Sequence, residues 1–131
     1  AIGNFIRDAL NGGPICVKGD GAPRRAYLYA ADLAIWLWTI LLRGQTCHAY
    51  NTGSESALSI AELAQMVANI AAPGMPVRIE QRPTPAARPR YVCSAKRART
   101  ELGLRESLPL TEAICRTVAW HRQQQEPGNR T

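Results

Sequence analysis

Apolar residues recur at helical spacing from the first positions of the chain. Ile2, Phe5, Ile6, Ala9 and Leu10 share one face, and Asn11-Gly12-Gly13-Pro14 then supplies the residues of a left-handed cap and a turn. Ile15 to Lys18 reads as a short strand, a glycine loop follows, and Ala26 to Tyr29 reads as a second short strand leading into a helix over Ala31 to Arg43. Asp32 falls in that helix's first turn, where a carboxylate favours the helix dipole. Ala49 to Thr52 has an extended pattern closed by Gly53. Ser59-Ile60-Ala61-Glu62 is a capping box, and the amphipathic helix it opens runs through Leu63, Met66, Val67 and Ile70 until Pro73-Gly74 stops it. Val77 to Glu80 alternates as a strand, and the segment Arg82 to Arg90 carries Pro83, Pro85 and Pro89 and reads as a loop. Ser94 to Leu102 with Gly103 reads as a short capped helix, with Ser94 as its cap. Thr111 to Gln124 closes the pattern as a last amphipathic helix, with Ile114, Val118 and His121 near one face. The order predicts a mixed α/β (α+β) lobe over residues 1–122 and a frayed polar tail over 123–131, with no internal repeat.

One segment breaks the amphipathic rule. Leu33 to Leu42 is apolar nearly all round, so a helix there must be covered on several sides, and a small lobe has little with which to cover it. The pattern hints at a neighbour. At about half of the roughly 20 residues that a bilayer demands, the run predicts no membrane span.

The chain has 131 residues, of which 46% are hydrophobic and 20% charged, enough to bury a core without disulfide or metal staples. Sixteen Lys and Arg against ten Asp and Glu give a formal charge of +6, which favours an anionic partner. The cations scatter along the chain and no aromatic platform accompanies them, so a small phosphate ligand is expected and a nucleic acid is not. Cys16, Cys47, Cys93 and Cys115 form no CxxC pair and follow no secretory signal; free thiols in a reducing cytoplasm are expected, not a disulfide framework or a zinc site. Cys47 and His48 are adjacent on an extended segment and point to opposite faces, which does not suit a shared metal ion.

Candidate chemistry concentrates in Gly19-Asp20-Gly21-Ala22-Pro23-Arg24-Arg25-Ala26-Tyr27-Leu28-Tyr29-Ala30-Ala31-Asp32. Glycines let a backbone approach a ligand closely, and a guanidinium leaving a stiff strand offers a planar fork of donors, so the stretch can hold a diphosphate. It resembles the sugar-nucleotide-binding lobe of the extended short-chain dehydrogenase/reductase family, the NAD-dependent nucleotide-sugar epimerases and dehydratases. Three further segments are similar to that family in the same order: Ala49-Tyr50-Asn51-Thr52-Gly53 with the helix start at Ser59 to Leu63; Arg90-Tyr91 through Glu101-Leu102-Gly103-Leu104; and the closing helix with Ala113-Ile114 and Thr117-Val118-Ala119-Trp120-His121. Where relatives carry Asp after the arginine this chain has Ala26, and where they carry Pro-Asp it has Cys93-Ser94.

The resemblance implies a role for each matched residue. Arg25 would grip the diphosphate of a nucleoside-diphosphate sugar, and Asn51 would lie near the nucleotide. Arg82 or Arg88, with Arg90 as a third candidate, would bring a second guanidinium. The strand from Ile15 to Lys18 would flank the base through Cys16 and the Lys18 stem. It also implies what is missing: the family seats NAD on a Gly-x-x-Gly-x-x-Gly turn of a Rossmann domain and uses a Tyr-x-x-x-Lys pair as acid/base, and neither occurs here. The simplest expectation is the C-terminal lobe of a longer, cytoplasmic, homodimeric enzyme whose N-terminal Rossmann domain binds NAD. A stand-alone anion-binding or regulatory module is the alternative.

Overall fold

A computed structural model describes residues 1–82 and 90–125, Arg90 by its backbone alone. Ten elements follow one another: α1 (Ile2–Leu10), β1 (Ile15–Val17), β2 (Arg24–Ala26), α2 (Ala30–Arg43), β3 (Ala57–Ser59), α3 (Ile60–Ala71), β4 (Val77–Ile79), β5 (Arg90–Tyr91), α4 (Lys96–Leu102) and α5 (Leu110–Gln125). The architecture is a mixed α/β lobe with two small sheets. In one, β1 and β4 run parallel with Ile15 opposite Val77; in the other, β2 lies between β3, antiparallel, and β5, parallel.

The main core forms where α1, α3 and α5 pack on β1. Phe5, Ile6 and Ala9 of α1, Ile15 and Val17 of β1, Leu63, Ala64, Val67, Ala68 and Ala71 of α3, and Ile114 and Val118 of α5 are all buried together. The apolar spacing of α1 and α3 accounts for this, because residues three and four apart share a face. The capping box of α3 is present in both halves: the Ser59 side chain accepts from the Glu62 amide, and the Glu62 carboxylate accepts from the Ser59 amide at 2.6 Å. A second, smaller cluster gathers Trp36 of α2 with Ala95, Ala98, Leu102 and Leu104, flanked by Leu28, Ile40 and Tyr50. Gly103 ends α4 in the left-handed conformation expected of a glycine there.

Several local expectations are corrected. The second strand is not Ala26 to Tyr29 but Arg24–Ala26, because its ladder partners Ala57 to Ser59 and Arg90–Tyr91 stand opposite the arginines. Ala49 to Thr52, expected as a strand, joins no ladder among the described residues, whereas Ala57–Ser59 forms one. The cap of α4 comes chiefly from afar: the Glu55 carboxylate accepts from the Ala95 amide at 2.8 Å and from the Ser94 hydroxyl at 3.2 Å, while the Ser94 hydroxyl stands 3.4 Å from the Lys96 amide. His121 lies exposed beside Trp120, and α5 continues through Gln123 to Gln125; the remainder of the expected tail, 126–131, lies outside the described residues.

Asp32 is buried but does not serve its own helix. Its carboxylate accepts from the Ser107 amide at 3.0 Å and from the Ser107 hydroxyl, and Trp36 Nε1 donates to the Arg105 carbonyl at 3.2 Å. Two side chains one helical turn apart thus fasten the segment after α4 to α2. No helix among the described residues is long and apolar enough to cross a membrane.

Candidate functional site

Among the described residues a concavity opens where the C-terminal end of β1 meets the glycine loop. It has a volume of about 610 Å³ and takes its walls from Asn4, Phe5, Arg7 and Asp8 of α1, from Cys16, Val17 and Lys18, from Gly19, Gly21 and Pro23, and from Ile60 at the start of α3. Sequence order explains the assembly. Alternation along β1 sends Ile15 and Val17 into the core, so Cys16 turns to the other face of the strand. The Cys16 thiol lies 3.6 Å from the Pro14 carbonyl.

Loop geometry depends on Gly21. Its φ is +72°, and a Cβ placed there would stand 2.8 Å from the Ala61 Cβ, so only glycine lets the loop lie this close to the helix. The Gly21 carbonyl accepts from the Ala61 amide at 3.0 Å, and the Asp20 carboxylate accepts from the Ala22 amide at 3.0 Å. The loop leaves β1 and enters β2, a strand. A dinucleotide pyrophosphate needs a glycine turn that runs into a helix N-terminus, and this loop supplies none, so the described residues do not fit NAD.

The paired arginines divide their work. Arg24 is committed to the fold: its guanidinium donates to the Ala57 carbonyl at 2.9 Å and pairs with Glu62 at 3.2 Å. Together with the Ser59 amide, which acts most strongly, that cation holds the Glu62 carboxyl below the usual carboxylate range. Arg25, half-buried one residue on, donates from Nη1 to the Arg24 carbonyl at 2.9 Å. Burial raises the Tyr27 phenol above its ordinary value, and the nearby Arg25 charge offsets part of that.

The remaining candidates lie apart. Asn51 lines a separate polar hollow of about 530 Å³ with Ala49, Ser94, Lys96, Arg97, Thr100 and Glu101, and its amide donates to the Ser94 carbonyl at 3.1 Å. Arg82 is exposed just past β4, where the Gln81 amide donates to the Gly19 carbonyl at 3.4 Å. Arg88 lies outside the described residues. The structure therefore unites Cys16 and Lys18 on one cleft, puts Arg82 close in sequence to a contact with its loop, and sets Asn51 in another concavity.

Asn4, Arg7 and Asp8 were not singled out from the sequence, where the period of α1 revealed only its apolar face. Among the described residues no group of His, Cys, Asp and Glu is arranged to hold a metal ion.

The fold of this lobe recurs as part of longer solved proteins. UDP-glucose 4-epimerase of Thermotoga maritima, solved with UDP-glucose, superposes with a TM-score of 0.83 at 20% identity over 95% of this chain and 40% of its own. The Bordetella bronchiseptica enzyme WbmF, solved with NADH, gives 0.81 at 26% identity, with 94% and 36% covered. By sequence, dTDP-glucose 4,6-dehydratase of Streptomyces niveus is 26% identical over 90% of this chain and 35% of its own length, and the mouse dTDP-D-glucose 4,6-dehydratase 28% over 93% and 36%. Residues 1–53 match the profile of the NAD dependent epimerase/dehydratase family. Over those residues the chain is similar to that family, and it spans little more than a third of the length of these curated relatives.

Proposed function

We propose that this chain is the part of an NAD-dependent nucleotide-sugar epimerase or dehydratase that holds the nucleoside diphosphate of the substrate. The observation that carries the proposal is the 610 Å³ cleft, lined by Cys16, Lys18 and the glycine loop whose far end becomes the strand carrying Arg25. An aromatic base has room against Phe5, Val17, Pro23 and the stem of Lys18, and a flat ring among apolar walls is held by burial. The diphosphate is assigned to Arg25, with Arg82 or Arg88 as the second cation and Asn51 near the nucleotide.

In the whole protein, NAD bound by a separate N-terminal Rossmann half would supply transient oxidation of a sugar carbon. The residues of this chain bind and orient: base and diphosphate contacts made here fix where the sugar lies, so binding energy from remote groups positions the reacting carbon. A cytoplasmic setting suits the four unpaired thiols.

The test is titration of isotopically labelled chain with UDP and dTDP, followed by amide chemical shifts. Weak binding is expected, with dissociation constants on the order of millimolar because the other half of the site is missing. Shifts should concentrate at Cys16, Lys18, Gly19 and Gly21, and Arg25→Ala should weaken them. NAD should produce none at comparable concentration. Unchanged spectra with both nucleotides, or micromolar NAD binding, overturns the assignment.

A further inference from the structure

One wall of the cleft is polar and holds nothing of its own. Ala1, Asn4, Phe5 and Asp8 recur at spacings of three and four along α1, so they form a single stripe, and all four line the concavity. Asp8 keeps only 24% of its side-chain surface in water, and its ion pair, with an Arg7 guanidinium that is 66% exposed, is 3.6 Å long. Among the described residues no N–H or O–H donates to the Asp8 carboxylate, and the Asn4 side-chain amide has no partner either. A carboxylate drawn into a cleft with its acceptor sites unfilled has lost hydration without gaining a donor.

Its place along the cleft decides which part of a ligand it meets. The turn from Asn11 to Pro14 joins α1 to β1, so Asp8, in the last turn of the helix, shares its end of the cleft with Pro14. β1 then runs away from that end toward Gly19, the glycine loop and the strand that carries Arg25. With the diphosphate at the loop, the base lies at the Asp8 end.

A carboxylate only accepts. Uracil and thymine offer it one N–H between two carbonyl oxygens, and those oxygens face it with partial charge of the same sign. Cytosine, adenine and guanine each carry an exocyclic amino group, which supplies the missing donor. Asn4, one turn earlier on the same stripe, carries both a donor and an acceptor and can meet the ring atom beside that amino group.

We infer that Asp8 selects the base: the cleft takes a nucleoside diphosphate whose base bears an exocyclic amino group, and the Asp8 carboxylate accepts from that group. The inference rests on the proposed function for the nucleotide and for the place of its diphosphate, and it goes beyond that reading in naming the class of base. Nucleotides without the amino group remain weak ligands, because ring burial and diphosphate contacts are common to all of them. What they lack is a partner for one desolvated acceptor, and a site with such a group discriminates against the analogue that leaves it unpaired.

The experiment titrates the labelled 131-residue chain with CDP, ADP, GDP, UDP and dTDP at neutral pH and reads dissociation constants from amide shifts. At least one of the three amino-bearing nucleotides should bind about tenfold or more tighter than UDP and dTDP, and its identity names the base. Asp8→Asn keeps the size of the side chain and exchanges an accepting oxygen for a donor. In that variant the favoured nucleotide should lose about tenfold while UDP and dTDP hold or gain, since an amide can donate to a uracil carbonyl. A side chain that only supports α1 would weaken all five alike, and the wild-type ranking decides by itself if the variant's ligand-free spectrum shows α1 disturbed.

Equal affinity for all five in the wild-type chain, a preference for UDP or dTDP, or an unchanged ranking in a folded Asp8→Asn variant overturns the inference. In each of those cases shifts at Gly19 and Gly21 with UDP still stand, so the nucleotide assignment survives. Absence of shifts with every nucleotide overturns that assignment and this inference with it.

Discussion

The two apolar clusters are made of similar residues and differ in closure. Around Leu63 and Val67 every wall is present: α1, α5, β1 and β4 enclose α3, and both residues are fully buried. Around Trp36 only the inner side is walled, by α4 and the segment to Leu104, and the same helix that buries Trp36 carries its neighbour Trp38 in the open. Hydrophobicity alone does not tell the two apart. What differs is whether the chain supplies material on all sides, and the comparison teaches that the first region is an enclosed core while the second is open along the outer face of α2.

The sharpest way to break that distinction is a pair of substitutions. Leu63→Ala leaves a cavity in an enclosed site and should cost about 2–5 kcal/mol of unfolding free energy. Trp38→Ala removes a larger side chain yet should stay within about 0.5 kcal/mol in the 131-residue chain, because an exposed residue has little burial to lose. Urea denaturation followed by circular dichroism reads both; an equal loss from the two would erase the difference between the enclosed cluster and the open face.

Asp32→Ala comes next. It strips the Ser107 amide and hydroxyl of their acceptor, and an unmade bond to a partly buried donor costs about 1–3 kcal/mol. Exchange protection should fall in α2 and in the segment from Arg105 to Ser107, while α3 keeps its own. Loss spread evenly over the molecule would mean that the two clusters fold as one unit. Gly21→Ala is expected to cost about 1–2 kcal/mol, since an L side chain at φ +72° is strained and its Cβ would crowd Ala61. Its distinguishing sign is local: amide shifts at Gly19, Ile60 and Ala61 on the rim of the cleft, with α4 unmoved.

Much of this was legible in the sequence, and where it was not the reason is physical. Helices α1, α3 and α5 and the strands β1 and β4 follow from period, caps and breakers, because their burial partners lie in the same chain. The stretch from Ala49 to Thr52 carries strand character but finds no ladder, since a strand is defined by a neighbour as well as by its own residues. β2 shifted onto Arg24 and Arg25 for the converse reason: Ala57–Ser59 and Arg90–Tyr91, neither of them expected as strands, stand where they can pair with it. Cys16 and Lys18, named through the resemblance of their strand, line the cleft beside the glycine loop. Asn4, Arg7 and Asp8 stayed hidden because periodicity tells which face of a helix is apolar but not what its polar face overlooks. Glu55 could not be found as the cap of α4, since it reaches Ala95 from forty residues away in sequence.

The smallest effect tests the closed region at its edge. Ser59→Ala removes one arm of the α3 capping box and should cost about 1 kcal/mol. The other arm titrates. Glu62 gains the Ser59 amide and the Arg24 guanidinium on folding, so its folded pKa lies below its unfolded one. Its contribution is therefore complete above the unfolded value and is lost as the pH falls through the folded one. Comparing melting temperatures of the wild-type chain and Glu62→Gln across the acid range isolates it: the gap should be constant from neutral pH down to the usual carboxylate range and shrink below it. High salt should narrow the gap at neutral pH as well, because Arg24 and Glu62 face water and their attraction is screened. A gap that widens on acidification would mean that Glu62 is held in its protonated form, and the capping box would then not be what starts α3.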